Sequence, residues 1–278
     1  MCYIGPVKRI KRIFRILDAL PDCCRVIGVR SAVEWLLIIV LQKLRLPAPK
    51  LWHVRPRPLT YELTIRMNSS DFDVFNQIFI FQEYRPFRDL ADVACVIDLG
   101  ANVGYSSAYF LSCFPKAISL AVEPDDRNMA ICRETLAPFG DRARVLHGAA
   151  WSESTSLVLL RGSYRDGREW TTQVALAEMG STGNIKAWDV GTLIKMTGHD
   201  SVDLLKVDIE RAELAVFDDS SQHWLPKVHN LCIELHGLDC FETLLRALSS
   251  FDYEVAYSEE LMICRNLHPK GLSHFANA

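Results

Sequence analysis

The clearest structural signal in the sequence is an apolar run near the middle of the chain. Residues 93–97 are apolar or small, and the run ends at Asp98 and a glycine-rich turn before a helical pattern begins near Gly104. Such a run is typical of a buried parallel strand, because helices cover both faces of a parallel sheet. The turn predicts free backbone N–H groups at a helix start, where open α/β sheets bind their ligands.

Strand-like and helix-like segments alternate on both sides of this turn. Strands are expected at residues 59–67, 93–98, 118–123, 144–148, 157–160, 202–208 and 228–235. Helices are expected at residues 72–84, 104–113, 127–136, 210–217 and 240–248, and residues 253–265 read as a hairpin. The alternation predicts an α/β protein with a doubly wound parallel sheet, and the polar stretch 161–183 a long loop.

The first 58 residues have a different pattern. Residues 7–17 predict a basic amphipathic helix, and residues 32–46 an apolar helix whose core is shorter than the ~20 residues of a bilayer span. Four prolines between 47 and 58 indicate a stiff linker. We therefore expect a helical extension over residues 1–58 and the main domain over 59–278. The basic helix either packs on protein or makes peripheral contact with an anionic membrane.

Charge and cysteine content narrow the class of protein. The net charge is −3, but residues 1–58 hold 12 Lys/Arg against 3 Asp/Glu, whereas the remainder holds 19 against 31. So acidic a main domain argues against nucleic acid as a partner. Nine cysteines without a Cys-x-x-Cys pair favour a reducing, cytoplasmic compartment over a disulfide scaffold or a zinc cage.

Two acidic strand ends carry candidate chemistry. The turn has the spacing Asp98-x-Gly100-x-Asn102-x-Gly104, which differs from the Gly-x-Gly-x-x-Gly of a dinucleotide site. The next strand ends at Glu123, followed by Pro124, where a carboxylate can accept hydrogen bonds from both ribose hydroxyls. Taken alone, Glu123 would more simply be a solvated strand end. The pair of motifs favours a nucleoside cofactor.

A third motif, Lys206-Val-Asp208-Ile-Glu210-Arg-Ala-Glu213, places carboxylates at the same predicted sheet edge. With the first two motifs, the chain resembles the FkbM-type family of class I S-adenosylmethionine-dependent methyltransferases over residues 83–235. The resemblance implies a Rossmann-like, mostly parallel seven-stranded sheet with an antiparallel strand at its edge. It also implies S-adenosylmethionine as cofactor and methylation of a hydroxyl group.

The resemblance assigns most of the cofactor site residue by residue. The methionine part of the cofactor is expected near Asp98, Gly100, Ala101, Asn102, Gly104, Tyr105 and Ser106. The ribose is expected at Glu123 and Pro124, and the adenine at Ala149 and Ala150, while Glu83 and Tyr84 are expected to close over the cofactor. Three departures stand out: Arg211 replaces a family glycine, Gly148 a common asparagine and Thr135 another.

The acceptor side needs a group that removes a proton from a hydroxyl. The candidates are Asp208, Glu210, Glu234 and His236, and His236 is preferred as base because its ordinary pKa of roughly 6.5 suits neutral pH. A capping or solvent-facing role for His236 is equally compatible with the sequence. We expect no metal, and a divalent ion on Asp208, Glu234 and His236 is the less favoured alternative. Lys206 is expected to form an ion pair with Glu213 or Glu234.

These features favour an O-methyltransferase that acts on a small molecule or glycan. The first alternative is a catalytically inactive cofactor-binding or scaffold module, to which Arg211 points. An NAD-dependent oxidoreductase is disfavoured by the glycine spacing. Trp170, Gln173 and Asn184, in or next to the predicted loop, are candidate acceptor contacts.

Overall fold

The computed structural model describes residues 6–67, 69–160, 173–176 and 185–271. Internal contacts group the chain into two units, Met1–Glu83 and Tyr84–Ala278, and each unit is described by itself. The sequence pattern places the start of the main domain at residue 59, and that domain boundary stays a prediction.

The first unit is built on one long helix, α1 (Pro6–Leu44), which Gly28 interrupts with a left-handed φ of 80°. The kink at Gly28 divides α1 into two helical segments, which contain the helix predicted at 7–17 and most of the helix predicted at 32–46. Within the first unit, the buried indole of Trp35 donates a hydrogen bond of 2.7 Å to Asn76 Oδ1. No helix among the described residues is long and apolar enough to cross a membrane.

Two short strands follow α1. They are β1 (Leu51–Val54) and β2 (Leu63–Arg66), which pair antiparallel. The segment predicted as a proline-rich linker thus contains a strand, because its prolines flank residues 51–54 rather than interrupt them. The short helix α2 (Asp71–Phe75) then continues as a π-helix over Asn76–Ile80, so the predicted helix 72–84 ends four residues early.

The second unit alternates strands and helices. In chain order its elements are β3 (Cys95–Leu99), α3 (Tyr105–Cys113), β4 (Ile118–Glu123), α4 (Asp126–Leu136), β5 (Ala143–His147), β6 (Ala149–Ala150), β7 (Thr155–Leu160), β8 (Gln173–Leu176), β9 (Ile185–Trp188), α5 (Val190–Thr197), β10 (Leu204–Val207), α6 (Glu213–Val216), β11 (Leu231–Glu234), α7 (Leu238–Ala247), β12 (Phe251–Ser258) and β13 (Leu261–Pro269).

Seven of these strands form the main sheet, in the order β12-β13-β11-β10-β3-β4-β5. Strands β11, β10, β3, β4 and β5 pair parallel, and β13 pairs antiparallel with both of its neighbours. The predicted doubly wound, mostly parallel sheet of seven strands is confirmed. The antiparallel strand lies one place inside the edge, because β13 pairs with β11 on one side and with its hairpin partner β12 on the other.

The second sheet was not predicted. It has the order β6-β9-β7-β8, and its strand β8 lies within the segment 161–183 that was expected to be a loop. The remainder of that loop, together with Trp170 and Asn184, lies outside the described residues. A single residue, Gly148, separates β5 in the first sheet from β6 in the second.

The parallel strands set the position of the candidate site. Their carboxyl ends share one edge of the sheet, so the residues that follow β3, β4, β10 and β11 lie at that edge. Helix α6 is shorter than the predicted helix 210–217, because Glu210 and Arg211 have positive φ values of 44° and 75° and the helix begins after them.

Candidate active site

Asp98 anchors the turn between β3 and α3. The side chain is fully buried, and its Oδ2 accepts hydrogen bonds from the hydroxyls of Ser106 at 2.6 Å and Ser107 at 2.7 Å. Its Oδ1 lies 3.2 Å from Lys206 Nζ on the neighbouring strand β10. The carboxylate therefore joins both ends of the turn to the adjacent strand.

Lys206 does not pair with Glu213 or Glu234, as the sequence suggested. Its Nζ contacts Asp98 and Asp208, and it donates a hydrogen bond of 2.8 Å to the Gly100 carbonyl. Burial by itself lowers the pKa of the Lys206 ammonium, but the two carboxylates outweigh burial and hold that pKa above its ordinary value. The reason is register, because Lys206 lies directly opposite Asp98 in the β10–β3 pair.

The two turn glycines are required by packing within the chain. Gly100 has a φ of 77°, and a Cβ at this position would lie 1.8 Å from the carbonyl oxygen of Asp208. Gly104 has a φ of 83°, and a Cβ there would meet Cys132 Sγ on α4 at 3.0 Å. The turn after β3 thus lies directly against the residue that follows β10.

The rest of the turn is fixed by its backbone. The N–H groups of Gly100 and Ala101 both donate to the carbonyl oxygen of Val122 at 3.0 Å. Asn102 has a left-handed φ of 50°, and its N–H donates 2.8 Å to Glu123 Oε2. The turn therefore brings the end of β3 against the end of β4.

Glu123 is buried and receives two backbone hydrogen bonds. Besides the Asn102 N–H, the Asp125 N–H donates to its Oε1 at 2.9 Å. Burial raises the pKa of the Glu123 carboxyl to about 7, although the two backbone donors oppose this shift. The following residue, Pro124, accepts a hydrogen bond from His147 Nε2 through its carbonyl at 3.1 Å. Glu123 is therefore held rigidly at the sheet edge.

The expected adenine residues lie where the chain passes from one sheet to the other. Ala149 and Ala150 form β6 and are buried beside β9. The departure at Gly148 has a direct explanation, because a Cβ there would lie 2.3 Å from the ring of Trp188. An asparagine at position 148 would therefore clash with Trp188.

The aromatic residues assigned to the cofactor site are core residues. Tyr105 begins α3 and is buried, and the ring centroid of Tyr84 lies 4.8 Å from that of Phe110 on α3. Glu83 is buried at the end of the first unit, where its N–H donates to the Gln77 carbonyl at 3.2 Å. Closure of Glu83 and Tyr84 over a cofactor stays a prediction.

The four expected acceptor residues do come together, at the ends of β10 and β11. The Nε2 atom of His236 lies 3.4 Å from Glu234 Oε1, 3.7 Å from Asp208 Oδ1 and 3.7 Å from Glu210 Oε2. The imidazole is completely buried, whereas the side chain of Asp208 is 36% exposed and so opens the cluster to solvent. We call these four residues, Asp208, Glu210, Glu234 and His236, the acidic cluster.

A fifth residue, Glu213, was missed as part of the cluster. Its Oε1 lies 2.8 Å from His236 Nδ1, and its Oε2 lies 3.4 Å from the Cys240 thiol. Both side chains of the Glu213–His236 pair are fully buried. The motif Asp-x-Glu-x-x-Glu contained the signal, because a carboxylate at the first residue of α6 faces back toward the sheet edge.

The surroundings of His236 change its pKa. Burial by itself lowers the pKa of the imidazole, but the hydrogen bond with Glu213 and the nearby carboxylates of Glu234 and Asp208 raise that pKa to about 11. While these carboxylates are ionised and no cation is bound beside them, they favour the protonated form of the imidazole. The pKa of His236 therefore differs from the ordinary value on which its choice as base rested, and its role as base stays a prediction.

Arg211 has a backbone conformation that favours glycine. It has a left-handed φ of 75°, and its guanidinium donates 3.0 Å to the His236 carbonyl and forms an ion pair with Asp239. This ion pair lowers the pKa of the Asp239 carboxyl. A Cβ at Gly237 would lie 2.8 Å from the guanidinium. Arg211 thus clamps the segment after β11 that carries His236.

The sequence that forms this site matches a known protein family. A family model described as the methyltransferase FkbM domain matches residues 98–255. The chain is 27% identical over 132 residues to the 2-O-methyltransferase NoeI of Sinorhizobium fredii, which covers 42% of this chain and 54% of NoeI. The chain thus spans about half the length of this curated relative.

Solved structures with a similar fold include two methyltransferases. One is the precorrin-6y C5,15-methyltransferase of Geobacter metallireducens, with 12% identity and a TM-score of 0.39 over 66% of this chain and 86% of that one. The other is TrmK of M. capricolum in complex with S-adenosyl-homocysteine, with 11% identity and a TM-score of 0.38 over 68% and 69% of the two chains.

Proposed function

The chain belongs to the methyltransferase FkbM domain family, and from this premise we propose that it transfers a methyl group from S-adenosylmethionine to a hydroxyl oxygen of a small molecule or glycan. One observation carries the proposal. The Gly100–Asn102 turn and the Glu123 carboxylate meet at the carboxyl edge of the parallel sheet, beside the acidic cluster. A cofactor site and an acceptor site can therefore be adjacent.

Glu123 supports the choice of a nucleoside cofactor. Each of its carboxylate oxygens receives one backbone hydrogen bond, from Asn102 or from Asp125, and retains capacity for another donor. A ribose offers two neighbouring hydroxyl donors to such a carboxylate. The backbone donors hold the carboxylate in place before the ligand arrives, so little ordering is needed on binding.

The acidic cluster supports a hydroxyl as acceptor. In the transfer, the acceptor oxygen attacks the methyl carbon in line with the sulfur, and the carbon–sulfur electron pair stays on the sulfur. The hydroxyl proton must also leave, which requires a base or a cation that lowers its pKa. The carboxylates of Asp208, Glu210 and Glu234 can serve either purpose. The relative NoeI is a 2-O-methyltransferase, which agrees with an oxygen acceptor.

Calorimetry of the full chain tests the cofactor. We expect micromolar binding of S-adenosylmethionine, no binding of NAD, and a loss of roughly 10- to 100-fold in affinity for Glu123→Ala, because a charged hydrogen-bond acceptor is removed. Glu242→Ala is the matched control, since Glu242 is exposed on α7. Binding of NAD, or equal losses in the two variants, would contradict the assignment.

Mass spectrometry tests the transfer itself. The protein with S-adenosylmethionine is incubated with pooled monosaccharides, oligosaccharides and phenols, and products are searched for a gain of one methylene mass. Formation of S-adenosylhomocysteine together with an O-methylated product supports the proposal. Cofactor binding without any transfer across a broad set of hydroxylated compounds would favour a cofactor-binding module instead.

A further inference from the structure

The acidic cluster contains three different side chains that converge on one point. Asp208 follows β10, Glu234 ends β11, and His236 lies two residues farther along. One ligand atom from each of these residues lies within 4.8 Å of the other two. Because β10 and β11 are adjacent parallel strands, this convergence is fixed by the sheet. Mixed carboxylate and imidazole donors in such an arrangement are typical of divalent-cation ligands.

His236 supplies an independent observation that points to a ligand. Its Nδ1 is occupied by Glu213 at 2.8 Å, which leaves Nε2 directed at Asp208 and Glu234. The imidazole is fully buried, and Nε2 makes no hydrogen bond of acceptable geometry to any described residue. A carboxylate that orients a histidine through one ring nitrogen, while the other faces acidic oxygens, is the usual support of a metal-binding histidine.

We propose that Asp208, Glu234 and His236 bind one divalent cation of the Mn²⁺ class. An octahedral ion with ligand bonds of about 2.1 Å has adjacent ligands roughly 3 Å apart. The Nε2 distances of 3.4 Å to Glu234 and 3.7 Å to Asp208 therefore need to shorten by less than 1 Å. Two carboxylates with one imidazole suit Mn²⁺ better than thiolate-preferring ions.

The ion would leave coordination positions open toward solvent. The three protein ligands occupy half of an octahedral shell, and the partly exposed side of Asp208 gives the opening. This role deepens the proposed function and rests on it: the acceptor hydroxyl would occupy an open position. Coordination would lower the pKa of the hydroxyl, so that its proton could leave to water as the oxygen bonds to the methyl carbon and the carbon–sulfur bond of the cofactor breaks.

Mn²⁺ titration followed by electron paramagnetic resonance tests the site on the full chain after treatment with a chelator. We expect one Mn²⁺ per chain, and at least about tenfold weaker binding for Asp208→Asn, the loss that is common even for residues outside the ligand shell. Asp219→Asn is the matched control, because Asp219 is an exposed aspartate away from the cluster. Absence of stoichiometric binding, or equal losses in the two variants, would overturn the proposal.

A spectroscopic signature separates this site from loose binding to surface acids. Imidazole coordination adds ¹⁴N modulation to the pulsed resonance signal of bound Mn²⁺, and His236→Gln should remove this modulation. Circular dichroism confirms that each variant is folded. Mn²⁺ bound without ¹⁴N modulation in the wild type would overturn the assignment of His236.

The same preparation distinguishes failure of this inference from failure of the proposed function. Calorimetry with S-adenosylmethionine in the presence of chelator measures the cofactor site alone. If the cofactor binds and Mn²⁺ does not, the cation site is wrong and the methyltransferase assignment stands. If Mn²⁺ binds with ¹⁴N modulation and the cofactor does not, the site stands and the proposed function fails.

Discussion

Lys206 neutralises two carboxylates, one on strand β3 and one in the segment that follows β10. Its Nζ lies 3.2 Å from Asp98 Oδ1, before the β3–α3 turn, and 3.7 Å from Asp208 Oδ2, after β10. Both Lys206 and Asp98 are buried. Removing one partner of a buried ion pair leaves the other charge without compensation, which costs far more than the pair contributes as a whole.

We therefore expect Lys206→Met to lower the free energy of unfolding by about 3–5 kcal/mol. Urea unfolding followed by circular dichroism measures the loss. Lys195→Met is the control, because Lys195 is exposed on α5 and its removal should cost less than about 1 kcal/mol. The double variant Lys206→Met with Asp98→Asn should recover part of the loss, and no recovery would argue against the pairing.

Glu123 makes stability depend on pH. Its pKa is raised to about 7 in the folded chain from an ordinary value of 4.5, so the folded state binds more protons between these two values. This contribution to stability is fully present below the lower pKa and is lost as pH rises through the higher one. We expect the free energy of unfolding to fall between pH 5 and 8 in part because of Glu123.

Glu123→Gln should flatten that decline in urea unfolding measured at several pH values. The two backbone N–H groups donate to both oxygens of the carboxylate, and an amide offers them only one oxygen. The variant should therefore lose stability at every pH. The diagnostic quantity is the slope of the free energy of unfolding against pH. The exposed Glu242→Gln should leave the slope unchanged. An identical slope in wild type and Glu123→Gln would contradict the raised pKa.

At the scale of elements, the turn after β3 is constrained by a neighbouring loop. Gly100→Ala places a Cβ at 1.8 Å from the Asp208 carbonyl oxygen in addition to its left-handed φ. Gly198→Ala is a matched control, because Gly198 has a φ of 83° and a Cβ there meets nothing within 4 Å. We expect about 1 kcal/mol of destabilisation for Gly198→Ala and clearly more than 2 kcal/mol for Gly100→Ala. Thermal unfolding compares the two, and equal shifts in Tm would refute the close contact.

The sequence was informative where the pattern is local. Apolar runs and glycine turns predicted β3, α3, β4 and α4 to within a few residues, because strand and helix periods are written in neighbouring positions. Helix α5 also had its signals, the N-cap Asp189 and the left-handed Gly198, and these were overlooked. Strand β8 was missed because its predicted context was polar.

Contacts between distant residues could not be predicted in this way. The partner of Lys206 depends on the order β10-β3 in the sheet and on the register that sets it opposite Asp98. The raised pKa of His236 depends in part on Glu213, which lies 23 residues away and is fully buried with it. Residue types identified the acidic cluster, whereas its electrostatics required the three-dimensional arrangement.

At the scale of the whole molecule, charge and apolar surface coincide in the first unit. Residues 1–58 carry the excess of Lys and Arg, and the second half of α1 exposes apolar side chains at intervals of three or four residues: Val29, Val33, Leu37, Val40 and Leu44. An exposed apolar stripe within a stretch of sequence that is rich in Lys and Arg fits an anionic lipid surface.

We expect the full chain to co-sediment with vesicles that contain phosphatidylserine and not with pure phosphatidylcholine vesicles. Binding should weaken as salt is added, because part of the attraction is electrostatic. Val33→Glu with Leu37→Glu should abolish it, whereas Leu238→Glu, a similarly exposed apolar position in the second unit, should not. Equal binding to both vesicle types would contradict the prediction.

Lys206 lies between the expected cofactor site and the proposed cation site, and this position has a thermodynamic consequence when both sites are occupied. One ammonium group touches the turn expected to hold the cofactor and the cluster proposed to hold the cation. Whatever factor the first occupant imposes on the affinity of the second, the second must impose on the first, because binding free energies form a closed cycle. The dissociation constants of Mn²⁺ with and without cofactor, and of cofactor with and without Mn²⁺, should therefore give one and the same ratio. The logarithm of that ratio multiplied by RT gives the coupling free energy between the two sites, and replacing Lys206 should bring the ratio toward unity.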